Sequence, residues 1–286
     1  MITLASLKQK FLPELAPEDF FVLMTHVTGK EKAFLLAHEE YLLSPEEATK
    51  AEAFFQRRLK HEPVAYIIGH KEFYGRDFLV NSHTLIPRPE TELLIEKTLS
   101  YCETTSGSLD IIDVGTGSGN IIITLAQELN DSSFRFFGLD ISEGALGIAK
   151  ENAKHLTQRN IHFLKSDLLA SYLPFHEEKK SFLIVANLPY LSQEIFNESA
   201  PDVQNYEPQT ALFSEHNGLA HYYTLLEQIV SLSKTVSSGT FFFEISPEQA
   251  PVLTSYIQEH FPNITTTIFL DLTGRERLIQ GTLSKK

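Results

Sequence analysis

Cysteine, positive charge and long apolar runs are all scarce in this chain of 286 residues. The single cysteine, Cys102, excludes an internal disulfide and fits a reducing compartment. No run approaches the roughly eighteen apolar residues that a membrane-spanning helix needs. Polar residues interrupt the opening segment, Met1 to Lys10, before an apolar stretch of signal-peptide length develops. The expected location is therefore the cytoplasm, with no membrane partner. Lys and Arg number 24 against 37 Asp and Glu, for a formal charge of -13. That balance argues against broad, charge-driven nucleic-acid binding, which needs basic residues to neutralise phosphates. A locally basic protein substrate suits such a surface. One local basic cluster, Arg57, Arg58, Lys60 and His61, reads as a solvated helix end. The histidines lack metal-ligand spacing such as H-x-x-x-H, so no catalytic metal is expected. Internal repeats and low-complexity segments are also missing.

What is present is enough chain for one large domain or two smaller ones, with roughly 75% of the unfolded surface buried. Residues 1–70 read as a small helical domain. Ser44-Pro45-Glu46-Glu47 combines an N-cap, a first-turn proline and a capping-box glutamate. Ala51, Phe54, Phe55 and Leu59 then follow at helical spacing. Residues 71–90 read as a β-hairpin linker, with Phe73 to Val80 as one arm, Asn81-Ser82 following, and Thr84 to Ile86 beyond. Pro87-Arg88-Pro89-Glu90-Thr91-Glu92 then fixes the chain before a helix. Residues 91–286 alternate apolar strands with helices. Expected strands are 111–114, 134–139, 161–164, 182–186, 240–245, 264–270 and 276–280; expected helices include 143–155 and 220–232. The pattern implies an α/β fold with a mostly parallel sheet covered on both faces. No clear helix separates the last two strands, which are expected to form an antiparallel hairpin turned at Thr273-Gly274.

The first expected strand of that domain runs into Asp113-Val114-Gly115-Thr116-Gly117-Ser118-Gly119, ahead of an apolar helix. Glycines here let a ligand approach the backbone closely. The dinucleotide fingerprint G-x-G-x-x-G/A fails, because counting from Gly115 places Asn120 at the last position. The spacing G-x-G-x-G, with an acidic residue two positions before it, resembles the S-adenosylmethionine (SAM) turn of class I methyltransferases. Asp140 closes the second strand, where a carboxylate can accept from both ribose hydroxyls. Asp167 ends the third, where it can accept from an adenine amino group, with Leu168 over the ring. SAM carries no phosphate, so a Lys or Arg clamp is not required.

The fourth strand runs into Asn187-Leu188-Pro189-Tyr190. The Asn187 side-chain oxygen and the Leu188 carbonyl can both accept from one planar NH2 group. Pro189 biases Leu188 toward extended backbone, and Tyr190 offers a stacking face. Methyl transfer from a sulfonium is an in-line displacement with a neutral leaving group, so it needs little acid catalysis. An amide nitrogen is a poor nucleophile, and the site must hold it in line and exclude water. Two acceptors at the NH2 would also stabilise positive charge appearing on nitrogen.

With these motifs in view, the chain resembles the bacterial glutamine N5-methyltransferases that modify peptide chain release factors. Pro63-Val64-Ala65-Tyr66-Ile67-Ile68-Gly69, Glu72-Phe73-Tyr74-Gly75, Leu85 to Glu92, Tyr206-Glu207-Pro208, Ala211-Leu212 and Asn217-Gly218-Leu219 all resemble family segments. The resemblance implies a Rossmann-like class I methyltransferase sheet with an antiparallel last strand, behind a helical substrate-recognition domain. It implies SAM as cofactor, S-adenosyl-L-homocysteine as product, and class 1 release factors as protein partners of a monomer that contacts no nucleic acid directly. The acceptor would be the glutamine of their Gly-Gly-Gln loop, held by Asn187 to Tyr190. Asp113, Gly115, Thr116, Gly117, Ser118, Gly119, Asp140, Asp167, Leu168 and Asn187 would surround the cofactor.

Two departures stand out: Leu188 replaces the family's usual proline, and Asn205 replaces a basic residue. Two other acceptors suit the same tetrad, a glutamine of a large-subunit ribosomal protein and an adenine amino group of RNA. Arg-Pro-Glu at 88–90, where the ribosomal-protein enzymes tend to read Arg-Ser-Pro, favours release factors. The charge and the leading position of the helical domain count against RNA. Arg88, Glu90 and Glu244 are left without assigned roles.

Overall fold

The computed structural model describes residues 2–105, 107–175, 181–233 and 238–283, which fall into two compact units. One is Met1–His70 with Ala200–Tyr206; the other is Lys71–Ser199 with Glu207–Lys286.

The first unit is helical: α1 (Leu4–Phe11), α2 (Pro17–Thr28), α3 (Lys32–Ala37), α4 (Pro45–Arg58) and α5 (Val64–Ile68), with the later segment Pro201–Tyr206. α4 begins as its sequence dictates. Ser44 Oγ accepts from Glu47 N–H at 3.1 Å, and Glu47 reaches back to Ser44 N–H at 2.7 Å. These two bonds satisfy donors that a helix start leaves open. Its apolar face buries Ala48, Ala51 and Phe55, and Phe55 lies 4.8 Å from both the Phe11 and Phe20 rings. The basic cluster at its end is paired: Arg57 with Glu62 at 2.5 Å and Arg58 with Asp19 at 2.6 Å.

The second unit opens with a two-stranded hairpin, β1 (His70–Phe73) and β2 (Arg76–Leu79). Its turn is Tyr74-Gly75, with φ of 51° and 71°, the positive pair of a type I′ turn whose twist matches the strands. The expected arms were therefore misplaced. Asn81-Ser82 opens a separate bend, in which Thr84 N–H donates to Asn81 O at 2.9 Å, and residues 84–86 are not a strand.

Beyond the hairpin come α6 (Glu92–Glu103), β3 (Leu109–Val114), α7 (Asn120–Glu128), β4 (Phe134–Asp140), α8 (Glu143–Leu156), β5 (Ile161–Lys165) and β6 (Ser181–Ala186). They are followed by α9 (Gln193–Glu198), α10 (Pro201–Tyr206, of the helical unit), the kinked turn α11 (Glu215–Gly218), α12 (Ala220–Ser233), β7 (Gly239–Glu244), α13 (Gln249–His260), β8 (Ile264–Leu270) and β9 (Glu276–Leu283). The seven strands of the large sheet run in the order β5-β4-β3-β6-β7-β9-β8. β5, β4, β3, β6 and β7 pair in parallel, and β9 is antiparallel to both of its neighbours. β8 and β9 form the expected hairpin, but β9 inserts between β7 and β8, leaving β8 at the edge.

Alternate strand residues face two apolar layers. Ile112, Val114, Ile184, Phe241 and Phe243 pack with α12 and α13, through Leu225, Ile229, Leu253 and Ile257. Ile111, Phe136, Leu183, Val185 and Phe242 pack with α6 and α7, through Leu94, Ile95, Ile122 and Leu125. Each such side chain contributes on the order of 1.5–3 kcal/mol by leaving water. The strand order reverses between β3 and β6, the position at which sheets of this kind open a ligand crevice.

Candidate active site

Val114 is the register partner of both Leu139 and Ala186. The carboxyl ends of β4, β3 and β6 are therefore level, and the segments following them meet in one cleft. It is a concave cleft open to solvent on one side. Gly115, Thr116, Gly117, Ser118, Asp140, Asp167, Leu168, Asn187, Leu188 and Pro189 all line it.

The glycine turn is built on β4. Gly115 and Thr116 N–H both donate to Leu139 O, at 2.8 and 2.9 Å. Gly117 N–H donates to Asp140 Oδ2 at 2.8 Å, and Ser142 N–H to Oδ1 at 2.8 Å. Burial raises the Asp140 carboxyl above its ordinary value against these bonds, which lower it. At Gly115 (φ 77°) the left-handed backbone favours glycine, and a Cβ would stand 3.0 Å from Leu188 Cδ2. The turn and the tetrad, about seventy residues apart in sequence, are thus in van der Waals contact.

Three expected site residues lie outside the cleft lining. Asp113 is fully buried beneath the turn, where its Oδ2 accepts from Thr116 Oγ1 at 2.6 Å. Burial pushes its carboxyl up to about 7, the Thr116 bond pulls it down, and Asp140 pushes it up. Asp113 therefore shapes the turn from below. Gly119 (φ 81°) caps α7, and a Cβ there would come within 2.8 Å of Ile123 and 3.2 Å of Ala149. Its role is close packing. Tyr190 is half-buried, with its hydroxyl pushed up to about 12 by burial and then by Glu244.

The tetrad is braced from several directions. Leu188 N–H donates to Tyr222 Oη at 3.2 Å, and Tyr222 Oη donates to the Glu244 carbonyl. Tyr190 O accepts from Gln249 Nε2 at 3.2 Å, which also donates to Asn217 O at 3.2 Å. Gly218 (φ 82°) sits so close that a Cβ would lie 2.0 Å from Tyr190 O. The Asn217-Gly218-Leu219 segment is thus fitted to the tetrad backbone. Asn187 Nδ2 donates to Thr91 Oγ1 at 3.0 Å, while Asn187 Oδ1 is buried with no partner among the described residues.

Glu207 explains the Leu85–Glu92 signature. It is 5% exposed, pairs with Arg88, and accepts from Ile86 N–H at 3.2 Å. Arg88 thereby reaches the cleft already neutralised. Sequence reasoning missed Asn152, which is buried on α8. Its amide accepts from Leu79 N–H at 2.8 Å and donates to Leu79 O at 3.0 Å and Ser118 O at 2.9 Å. It ties β2 to the glycine turn. His83, Thr210 and His221 also line the cleft without having given a sequence signal, and Ala211 lines it as part of a family-like segment. Among the described residues no group of three or more His, Cys, Asp or Glu is placed to hold a metal ion, and no helix is long and apolar enough to cross a membrane.

A glycine turn after β3, carboxylates after β4 and β5, and the tetrad after β6 define a class I methyltransferase. Residues 106–213 match a methyltransferase domain family, and residues 5–69 match the PrmC N-terminal domain family. The release factor glutamine methyltransferase of Enterococcus faecalis is 37% identical over 250 residues, covering 87% of this chain and 86% of the relative. That of Bacillus anthracis is 33% identical, with 90% and 89% covered. The chain belongs to the release factor glutamine methyltransferase family. A bifunctional methyltransferase of Rickettsia bellii is 35% identical, but this chain spans only 50% of it. The fold is shared with the hMettl16 catalytic domain in complex with MAT2A 3'UTR hairpin 1, at a TM-score of 0.57 and 17% identity over 92% of this chain and 91% of that one.

Proposed function

We propose that this chain transfers a methyl group from S-adenosyl-L-methionine to the side-chain amide nitrogen of the glutamine in the Gly-Gly-Gln loop of class 1 release factors. S-adenosyl-L-homocysteine would be the second product. The observation that carries this reading is Asn187 Oδ1, a buried acceptor without a partner on the wall of the cleft. A buried carbonyl oxygen that nothing satisfies is costly, and an incoming amide NH2 would satisfy it.

The residues present fit the cofactor. Asp140, fixed by Gly117 and Ser142, retains acceptor capacity for a ribose diol. Asp167 is exposed at the cleft for an adenine amino group, and Leu168 is held beside it by Ser166 Oγ donating to Leu168 O at 2.7 Å. The glycine turn carries no cation, in keeping with a ligand that has no phosphate. When bound, the sulfonium supplies an electrophilic methyl group with a neutral leaving group. Asn187 and the Leu188 carbonyl hold the amide nitrogen in line and stabilise its developing charge. Leu188 in place of proline leaves this intact, because the contact is a backbone oxygen.

We take the enzyme to be a monomer in the cytoplasm, the location that the single cysteine fits. The test is transfer of labelled methyl to a purified release factor, comparing Gly-Gly-Gln with Gly-Gly-Ala, alongside an Asn187→Ala enzyme. Label on the first substrate only, lost with Asn187→Ala, is the expected result. No label while SAM binding is intact would overturn it.

A further inference from the structure

Helix α8 carries two glycines in different surroundings. A Cβ at Gly147 would meet nothing within 4 Å. A Cβ at Gly144 would stand 2.7 Å from His83 Cγ, 2.9 Å from its Nδ1 and 3.1 Å from its Cβ. Glycine weakens a helix relative to alanine. Gly144 therefore costs α8 some stability, and it leaves free the space in which the His83 ring lies.

The bend after β2 brings that ring to the helix. Leu79, just before the bend, is tied to Asn152 of α8 at 2.8 and 3.0 Å. Within the bend, His83 N–H donates to Asn81 Oδ1 at 2.9 Å and Thr84 N–H to Asn81 O at 2.9 Å. Thr84 is buried. His83 is thus held by local bonds on one side and by the bare backbone of Gly144 on the other. It lines the cleft together with Asp140, Ile141, Ser142 and Ala145, the residues that lead into and open α8.

This is the part of the cleft where Asp140 suits a ribose diol. A carboxylate only accepts, so the diol gives its protons to Asp140, and its oxygens still need donors. The Thr116 hydroxyl is committed to Asp113 at 2.6 Å and the Ser118 hydroxyl to Asn120 Oδ1 at 3.2 Å. There remain the Ser142 hydroxyl, which already caps α8 by accepting from Ala145 N–H at 3.2 Å, and the His83 ring. That ring has no hydrogen-bond partner among the described residues, and an imidazole always carries at least one N–H. We propose that His83 is a cofactor-binding residue: seated on Gly144, its ring donates to the ribose that Asp140 accepts from, and so fixes the adenosine half of SAM. This inference rests on the reading of the cleft as a SAM site.

The experiment is calorimetric titration of SAM and of S-adenosyl-L-homocysteine into wild type, His83→Ala, His83→Gln, Gly144→Ala, Gly147→Ala and the His83→Ala/Gly144→Ala pair, with the Tm of each unliganded enzyme. His83→Ala should weaken both ligands about 10-fold, the scale of one hydrogen bond. His83→Gln keeps a donor and should bind within about threefold of wild type. Gly144→Ala displaces the ring and should weaken both ligands as His83→Ala does, while its Tm holds or rises because alanine favours the helix. Gly147→Ala should show the same Tm response with wild-type affinity. In the His83→Ala background, Gly144→Ala should cost no further affinity. Wild-type affinity in His83→Ala or in Gly144→Ala would overturn the inference and leave the SAM reading standing. So would a Gly144→Ala penalty that persists without the ring, or a His83→Gln loss equal to that of His83→Ala. Absence of SAM binding in wild type would instead sink the parent reading, and this one with it.

Discussion

Gly218→Ala tests how tightly the tetrad is held. Gly218 adopts φ of 82°, and a Cβ built there lies 2.0 Å from Tyr190 O and 2.6 Å from Gln249 Nε2. Real Cβ atoms essentially never approach closer than 3.0 Å, so Tyr190 O or the 216–218 turn must retreat by about 1 Å. Left-handed backbone costs an alanine roughly 1–2 kcal/mol. Losing the Gln249 bonds to Tyr190 O and Asn217 O adds about 1–3 kcal/mol. The sum, on the order of 2–5 kcal/mol, should lower Tm by several degrees in a chain of this size. The catalytic effect should be of similar size, since a shift of about 1 Å at the reacting group costs about 100-fold, or about 2.7 kcal/mol. The cofactor side, built on β3 and β4, does not pass through Gly218. Methyl transfer assayed with calorimetric SAM titration should therefore show kcat falling about 100-fold and SAM affinity changing less than threefold. Wild-type kcat in a folded Gly218→Ala enzyme would refute the fitted-backbone argument. A large loss of SAM affinity would show that the two halves of the cleft are not separable.

Three further outcomes are expected. Arg88→Met leaves the Glu207 carboxylate buried with only Ile86 N–H. Because the Arg88 side chain is 35% exposed, the loss should be about 2–3 kcal/mol, below the 3–5 of fully buried pairs. Urea unfolding should show Arg88→Met/Glu207→Leu recovering part of it. Asn152→Ala should lower the urea midpoint by an amount equivalent to about 2–4 kcal/mol, with unchanged m, and weaken SAM binding through Ser118. Asp113 and Glu244 are both pushed up to about 7 by burial. The folded state keeps their protons longer than the unfolded chain, whose carboxyls titrate near 4. Their contribution is thus full at low pH and is lost as pH rises toward about 7. Calorimetric Tm should fall between about pH 4 and 7, and fall less in Asp113→Asn. Asp271, lowered to about 2, acts below that window.

The central strands were legible because burial on both faces leaves near-continuous apolar runs, such as Phe182 to Ala186 and Phe241 to Phe243. Their spatial order was not, because periodicity says which residues face inward and nothing about which strand is the neighbour. Only the structure shows β9 between β7 and β8. The hairpin was misplaced because Asn81-Ser82 has stronger turn composition than Tyr74-Gly75, where tyrosine must take positive φ. In the site, contiguous motifs were readable, and groups acting across distance were not. Thr91 lies 96 positions from Asn187, and Asn152 reaches Leu79 across 73. No local pattern encodes either. The position of Asp113 just before the glycines suggests a ligand, whereas strand alternation turns its side chain under them.

The insertion of β9 has a consequence for birth on the ribosome. Synthesis delivers β7, with its three phenylalanines, well before the strand that pairs with its far edge. Leu283 follows Glu244 by about forty residues, or roughly two to eight seconds at common elongation rates. Over that interval an apolar parallel sheet presents an open row of backbone donors and acceptors, the kind of edge that recruits other chains. β8, which emerges first, cannot seal it in the native order without leaving room for β9. The nascent enzyme therefore passes through a window in which chaperone cover matters most, and slowing translation across 245–283 should raise its tendency to aggregate.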